Sequence, residues 1–153
     1  MAKHLQLVVF TIGNEFHGVG IERVHEIIKV PEIASVPDAP DFFEGVINLR
    51  GRIIPVIDLR KRLRAPAAGK GRATRILITE YENRLTGILV DSVTEVLKLA
   101  PEVVEDPPQM ISAIGIEYIV GVAKTDGKLV TLLDIGKVLG VEEMRRIAAA
   151  AAA

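Results

Sequence analysis

The sequence predicts a mainly β fold of two similar five-stranded β-barrel subdomains, with short helices and a C-terminal helix. Three observations lead to this prediction. Short runs rich in β-branched residues alternate with turn residues along the chain. The same order of residues occurs twice, which indicates a duplicated unit. Each copy contains about five strands, and short strands in that number favour a small closed barrel, which leaves no exposed edge.

The first half reads as two β-hairpins joined by a short helix. Its strands are predicted at residues 5–12, 15–21, 45–49 and 52–59. Gly13-Asn14 and Arg50-Gly51 supply the two turns. Apolar residues at positions 21, 24, 27 and 28 have helical spacing and predict a helix over 21–28. Pro55, inside the second hairpin, indicates an edge position or a β-bulge.

The second half repeats this order. Its strands are predicted at residues 75–81, 84–90, 118–123 and 129–133. Val93, Val96 and Leu97 again have helical spacing, and Asp126-Gly127 is a strong hairpin turn. Residues 60–63 form one helical turn, 65–73 a linker, 101–114 a loop, and 136 to about 147 a helix. The six alanines at 148–153 are assigned no function.

The repeat units, residues 5–63 and 75–139, correspond position by position. The first matching block pairs Gly18, Val24, Glu26 and Lys29 with Gly87, Val93, Glu95 and Lys98. The second block pairs Gly45, Val46, Gly51, Asp58, Lys61 and Leu63 with Gly121, Val122, Gly127, Asp134, Lys137 and Leu139. Duplication with conserved turn glycines predicts two similar lobes packed together, with a cleft between them.

Composition excludes several classes of function. The chain of 153 residues has 19 basic and 20 acidic side chains, and aromatic residues make up 4%. This balance gives neither the positive field nor the stacking platform of a nucleic-acid binder. The absence of cysteine excludes disulfides and thiolate chemistry. No apolar run approaches the ~18 residues that span a bilayer, and no secretory signal begins the chain, so we expect a cytoplasmic protein without membrane insertion.

The candidate catalytic and metal-binding residues all have simpler explanations. Three histidines, at positions 4, 17 and 25, share no ligand spacing and are expected to be solvated or hydrogen-bonded, with no metal site. Gly69-Lys70-Gly71 lacks the spacing of a phosphate-binding loop. Asp58 and Asp134 are repeat equivalents that fit helix N-caps better than an acid–base pair. We expect no enzymatic activity and no cofactor.

The segment at residues 43–59 carries a specific resemblance to a known family. It reads Phe-Glu-Gly-Val-Ile-Asn-Leu-Arg-Gly-Arg-Ile-Ile-Pro-Val-Ile-Asp-Leu. This resembles the signature of CheW-like domains, and further matches extend from about residue 5 to residue 144. The resemblance implies a single domain over residues 1–147, in which two intertwined SH3-like barrels share strands. It also implies a non-catalytic adaptor that binds the cytoplasmic tip of chemoreceptors and the regulatory domain of the histidine kinase CheA, recruited to membrane-associated arrays.

The resemblance implies two docking surfaces. The receptor-side residues are Val24, Glu26, Gly45, Arg50, Val93 and Val96, and the kinase-side residues are Ile27, Val30 and Ile33. An ion pair between Glu26 and Arg50 is expected to orient the receptor groove. This pair is expected to have no counterpart, because Asp126 replaces Arg50 in the second half. Gly51, Gly121 and Gly127 are expected to serve as structural turns.

Two alternatives to the free adaptor remain open at this stage. The chain can be the CheW-like regulatory domain of a larger kinase or coupling protein, although its start at Met1 favours the free adaptor. It can also be a β-barrel sensor or enzyme for a small ligand, with Arg50, Asp58 and Asp134 in the cleft. The adaptor predicts an apolar groove with a polar rim, whereas the ligand site predicts a polar cleft. Core packing is also a sufficient explanation for Val24, Val93 and Val96.

Overall fold

A computed structural model describes residues 4–63, 65, 71–106 and 118–140. Within these ranges the strands are β1 Leu5–Ile12, β2 Glu15–Gly20, β3 Val24–Lys29, β4 Phe43–Leu49, β5 Arg52–Asp58, β6 Arg75–Tyr81, β7 Arg84–Val90, β8 Ser92–Leu99, β9 Val104–Glu105, β10 Ile119–Thr125 and β11 Lys128–Leu133. The helices are α1 Leu59–Arg62 and α2 Ile135–Leu139, and short 3₁₀ turns cover Ile21–Arg23 and Pro101–Val103. No helix in this part of the chain is long and apolar enough to cross a membrane.

The strands form two sheets, and each sheet combines strands from both repeats. Lobe A is the six-stranded sheet in the order β8-β1-β2-β11-β10-β9, and lobe B is the five-stranded sheet in the order β3-β6-β7-β5-β4. Strands are exchanged between the repeats: β3 pairs with β6 and β5 with β7, while β8 pairs with β1 and β11 with β2. The prediction of a mainly β fold with two similar lobes is therefore confirmed. Among the described residues, no ladder joins the first strand of either sheet to its last.

Backbone irregularities recur at equivalent positions of the two repeats. The amide of Asp58 donates to the carbonyl of Phe42 at 2.7 Å, and the amide of Asp134 donates to that of Tyr118 at 2.8 Å. Register shifts occur between Phe43 and Gly45 in one repeat, and between residues 119 and 121 in the other. Matched bulges and hydrogen bonds show that the duplication extends to the details of the backbone.

Three hydrophobic clusters hold the lobes together, and they explain why many strands read as continuous apolar runs. The interior of lobe A contains Leu7, Val9, Leu97, Leu99, Ala123, Val130 and Leu132. The interior of lobe B contains Ile47, Ile54, Val56, Ile76, Ile78 and Leu89. A third cluster between the lobes includes Val8, Phe10, Ile57, Leu77, Ile88, Val90, Leu133 and Val138. Alternate residues of one strand therefore enter different clusters, and both faces of the strand are buried.

The helix predicted over residues 21–28 is wrong. Residues 21–23 form a 3₁₀ turn, and β3 follows with alternating partly buried and exposed side chains. The helical spacing of Val93, Val96 and Leu97 is misleading in the same way, since these residues lie in β8. Both segments are edge strands, and pairing with β6 or β1 satisfies their backbone groups on one side.

Two further expectations need correction. Pro55 lies in β5, which is an interior strand, but the parallel ladder to β7 begins only at Val56. Pro55 therefore pairs on one side alone, with Val46, and costs the sheet no ladder bond to β7. Gly121 does not form a turn. It lies inside β10, where an added Cβ would approach Val104 Cγ1 to 2.6 Å.

Several predicted segments lie partly or wholly outside the described residues. These are most of the 65–73 linker, the loop beyond residue 106, the helix beyond residue 140 and the alanines at 148–153. The helical turn at 60–63 is found as α1, and the start of the last helix is found as α2. Asp58 and Asp134 cap these two helices, as the sequence predicts: their carboxylates accept from the amides of Arg60 and Lys137.

Candidate functional site

An exposed ion pair joins Glu26 on β3 to Arg50 in the β4–β5 turn. The sequence predicts this pair, and the structure contains it. In a flat sheet these positions would be three or four strand spacings of about 4.8 Å apart. Their contact shows that lobe B curls until its ends approach each other. Arg50 has a left-handed φ of 51°, so the backbone conformation of the turn sets the direction in which its side chain leaves the hairpin.

Lobe A has a matching ion pair, which corrects the expectation that the first pair has no counterpart. Glu95, the equivalent of Glu26, pairs with Lys128 at the start of β11. The Lys128 ammonium also lies 4.9 Å from the ring centroid of Phe16. Sequence comparison of the repeats missed this pair, because the basic residue stands after the hairpin turn in lobe A and within the turn in lobe B.

Exposed aliphatic side chains accompany each ion pair at equivalent positions. Ile27 on β3 is 41% exposed, and its counterpart Val96 on β8 is 55% exposed. Ile53 on β5 is 66% exposed, and its counterpart Leu129 on β11 is 49% exposed. Each lobe therefore presents two uncovered aliphatic residues near a carboxylate–cation pair. Ile53 and Leu129 were not identified from the sequence, although each lies next to the turn of an apolar hairpin.

The other residues assigned to the receptor side are less accessible. Val24 and Val93 are partly buried and pack against the cluster between the lobes. Gly45 is buried at φ 147°, where an added Cβ would overlap the carbonyl oxygen of Ala34. Val24, Glu26 and Arg50 belong to lobe B, whereas Val93 and Val96 belong to lobe A. The cluster between the lobes is what brings the two valine positions into one part of the molecule.

The kinase-side strip contains one exposed member. Ile27 is exposed, but Val30 and Ile33 are partly buried and pack against the interior of lobe B. β3 ends at Lys29, and the chain then turns back to the β4 edge of lobe B, where Ala34 forms an isolated bridge with Val46. Burial of Val30 and Ile33 follows from this return path, so a continuous surface strip of the three residues is not present.

A buried ionic network, missed by the sequence reading, lies where the two lobes meet. Arg60 donates to both carboxylate oxygens of Asp58 at 3.0 Å, and to Asp91 at 3.4 Å. Both Asp58 and Arg60 are almost fully buried. The hydrogen bonds to Asp58 raise the pKa of Arg60, so the guanidinium stays charged. A sequence signal was available: Gly136 stands where Arg60 does in the other repeat.

The histidines do not form a site. His4 and His25 are exposed, but His17 is buried and its Nδ1 has no hydrogen-bond partner, which corrects the expectation for this residue. In the ranges that the structure describes, no three His, Asp or Glu side chains are grouped so as to hold a metal ion. The buried charges of Asp58 and Arg60 neutralise each other.

These features define a two-lobed β protein whose accessible groups suit the docking of other proteins. The sequence profile of the CheW-like domain matches residues 6–143, and the chain belongs to that family. It is 37% identical to chemotaxis protein CheW of Treponema pallidum over 95% of this chain and 88% of the relative. It is 34% identical to chemotaxis protein CheW of Klebsiella aerogenes, over 91% and 84% of the two chains. The crystal structure of scaffolding protein TtCheW from Thermoanaerobacter tengcongensis superposes with a TM-score of 0.81 and 39% identity, covering 90% of this chain and 88% of that one.

Proposed function

We propose that this protein is a non-catalytic adaptor that couples the cytoplasmic tip of chemoreceptors to the histidine kinase CheA. Membership of the CheW-like family over nearly the whole chain is the observation that carries the proposal. Relatives that the chain covers over more than 80% of their length are named chemotaxis protein CheW. This favours a free adaptor over a regulatory domain within a larger kinase. Such an adaptor acts in the cytoplasm and is recruited to receptor arrays at the membrane.

The receptor side is proposed to comprise Val24, Glu26, Arg50 and the Val93 and Val96 positions of β8. A helical hairpin offers an amphipathic surface, which an apolar groove with few polar anchors recognises. Arg50 is the polar anchor, because its side chain is 69% exposed and its orientation is set by Glu26. A guanidinium carries five N–H donors, so it can bond a partner carboxylate or carbonyl while it holds Glu26. Gly45 acts indirectly, through the bulge that shapes the β4–β5 hairpin.

The kinase side is proposed to centre on Ile27, with Val30 and Ile33 supporting it from the interior of lobe B. Ile27 is exposed on the edge strand β3, where a partner can cover its side chain and pair with the free backbone groups of the strand. The equivalent residue, Val96, is proposed to face the receptor. Two equivalent positions of the repeats, Ile27 and Val96, are thus proposed to face different partners. The ligand-sensor alternative lacks support from the structure, since Asp58 is engaged by Arg60 and is not presented to solvent.

The first test uses Arg50→Ala, with Arg52→Ala as the matched control. Arg52 is exposed on the same hairpin, so its replacement changes the net charge equally. Loss of an exposed ion pair costs less than about 1 kcal/mol of stability, so both variants are expected to fold. Co-sedimentation with receptor-containing membranes should show at least a roughly tenfold loss of affinity for Arg50→Ala and little change for the control.

Kinase autophosphorylation in the ternary mixture provides the second readout. Wild-type protein should raise it in the presence of receptor, and Arg50→Ala should not. If the wild-type protein binds neither receptor nor CheA, the adaptor proposal is wrong. If Arg50→Ala binds receptor as the wild type does, the role of Arg50 is wrong and the adaptor proposal stands.

Paired substitutions at the equivalent positions Ile27 and Val96 test whether these residues contact different partners. Ile27→Glu should abolish binding to the regulatory domain of CheA and leave receptor binding intact, because a charge cannot be buried unpaired in an apolar contact. Val96→Glu should have the opposite effect. Surface plasmon resonance with each isolated partner measures both. Equal losses of both partners in the two variants would contradict the assignment.

A further inference from the structure

The segment that joins β7 to β8 carries the chain from lobe B into lobe A, and it is held from both sides. Arg60 in α1 contacts one carboxylate oxygen of Asp91 at 3.4 Å. The amide of Gly13, in the β1–β2 turn, donates to the other oxygen at 2.6 Å. The amide of Asp91 donates to the carbonyl of Thr11 at 3.1 Å. Asp91 therefore links the buried guanidinium of lobe B to two backbone groups of lobe A.

The equivalent segment between β2 and β3 is built from different chemistry. Glu22 replaces Asp91 and Gly136 replaces Arg60. Tyr81 packs where the arginine would stand, since an added Cβ on Gly136 would come within 2.7 Å of its ring. The Arg23 guanidinium lies 5.4 Å from the centroid of the same ring. One crossover is thus fixed by buried charge, and the other by aromatic packing.

Each crossover leads directly into a residue of the proposed receptor side. Val93 follows Asp91 by two positions, and Val24 follows Glu22 by two positions. Both valines pack against the cluster between the lobes. Because each strand begins at its crossover, the placement of Val93 relative to Val24 depends on how firmly Asp91 is held. Recognition surfaces tolerate errors of only about 0.5 Å in the placement of their contacts.

We propose that Arg60 is a positioning residue that, through Asp91, fixes the relative placement of the two lobes and hence of the two halves of the receptor-docking surface. Its planar fork is held by Asp58 with two hydrogen bonds, which leaves Nη1 directed at Asp91. The effect on receptor binding rests on the function proposed above. The effect on lobe placement does not.

The test uses Asp91→Asn, with Glu22→Gln at the other crossover as the matched control. The Asp91 side chain is 24% exposed, so the loss of one charge there is tolerated better than the loss of buried Arg60. The amide oxygen of asparagine still accepts from Gly13, and only the attraction to Arg60 is removed. Arg60→Lys serves as a second variant, which keeps the charge and loses the fork.

Lobe placement is measured by pulsed electron paramagnetic resonance with one spin label on each lobe. The chain has no cysteine, so Lys29→Cys and Lys98→Cys give two specific labels on exposed, equivalent positions of β3 and β8. We expect a broadened distance distribution for Asp91→Asn and Arg60→Lys, and the wild-type distribution for Glu22→Gln. Receptor affinity should fall about tenfold in the first two variants and stay within about twofold in the control.

A purely structural role predicts a lower melting temperature with an unchanged distance distribution, and that result overturns the proposal. A broadened distribution with wild-type receptor affinity overturns it as well, because placement would then not matter for docking. If the unmutated protein fails to bind receptor, the proposed function is wrong. The distance distributions still decide whether Arg60 fixes the lobes, so the two failures are distinguishable.

Discussion

His17 lies on β2 with its ring buried against Phe10, at a centroid distance of 6.0 Å and an interplanar angle of 26°. Burial lowers the pKa of this imidazole from 6.5 to about 4. Nδ1 has no hydrogen-bond partner, so nothing compensates a positive charge there. The folded protein therefore holds His17 neutral at a pH where the unfolded chain has already taken up a proton.

The expected result is a loss of stability as the pH falls. Between pH 6.5 and about 4, the unfolded state binds more protons than the folded state. The contribution of His17 to the free energy of unfolding is therefore fully present above pH 6.5 and is lost as the pH falls towards about 4. Between pH 7 and pH 5 the loss amounts to about 2 kcal/mol, at about 1.4 kcal/mol per unit of pKa shift. Urea unfolding at the two pH values measures it.

The control for this prediction is His17→Leu, which has similar volume and no titrating group. Carboxylates contribute equally to both proteins, so the difference between their pH profiles isolates His17. The variant should lose about 2 kcal/mol less than the wild type between pH 7 and pH 5. Parallel profiles would show that His17 is solvated or hydrogen-bonded in the folded protein.

Individual contacts were predictable from the sequence only where a family pattern or local spacing supplied them. The Glu26–Arg50 pair and the caps at Asp58 and Asp134 were predicted and are present. The bond from Arg60 to Asp91 was not predicted, because it depends on a crossover between lobes that no local pattern encodes. The exposure of Val96 was also not predictable, since apolar residues have the same spacing in the sequence whether they lie exposed on an edge strand or buried in a core.

At the scale of elements, the hairpins were predicted correctly, and the edge strands β3 and β8 were not. Hairpins have strong turn signals such as Asp126-Gly127. In β3, residues 24, 27 and 28 imitate a helix, while burial in fact alternates along Val24–Lys29. The pattern is misleading because the apolar Ile27 is exposed, whereas the polar Glu26 is partly buried, as Val24 and Ile28 are. An apolar residue on the exposed side of a strand breaks the alternation of polar and apolar residues from which a strand is predicted.

Two glycines of the β4–β5 hairpin permit a matched test of bulge and turn. Gly45→Ala is expected to destabilise the protein by more than about 2 kcal/mol, because the Cβ would overlap the Ala34 carbonyl and break its bridge to Val46. Gly51→Ala should cost about 1 kcal/mol, since φ is 86° but the space around it is open. Urea unfolding compares the two. Equal stability together with selective loss of receptor binding in Gly45→Ala would instead mark Gly45 as a direct contact.

At the scale of the molecule, the repeat in the sequence is not the lobe in the structure. The interior of lobe A takes Leu7 and Val9 from the first repeat, and Leu97 and Val130 from the second. In each repeat the third strand and the hairpin after it join the sheet that holds the first two strands of the other repeat. The number of strands was predictable from turn spacing, but the exchange entered only through the family resemblance, because strand pairing over such separations leaves no local trace.

This exchange of strands predicts that neither repeat folds by itself. Cut between residues 71 and 72, the first fragment keeps the β1–β2 hairpin but loses β8 and β11, its neighbours on both sides. An isolated two-stranded hairpin is marginal in water. The first fragment would also lack five of the seven buried residues in the interior of lobe A and three of the six in the interior of lobe B. By nuclear magnetic resonance, the amide resonances of each fragment alone should be poorly dispersed, as in an unfolded chain. An equimolar mixture of the two fragments should recover the well-dispersed spectrum of the intact chain. A dispersed spectrum from either fragment alone would mean that a repeat can close its own sheet, and that the exchanged pairing is not what stabilises the two lobes.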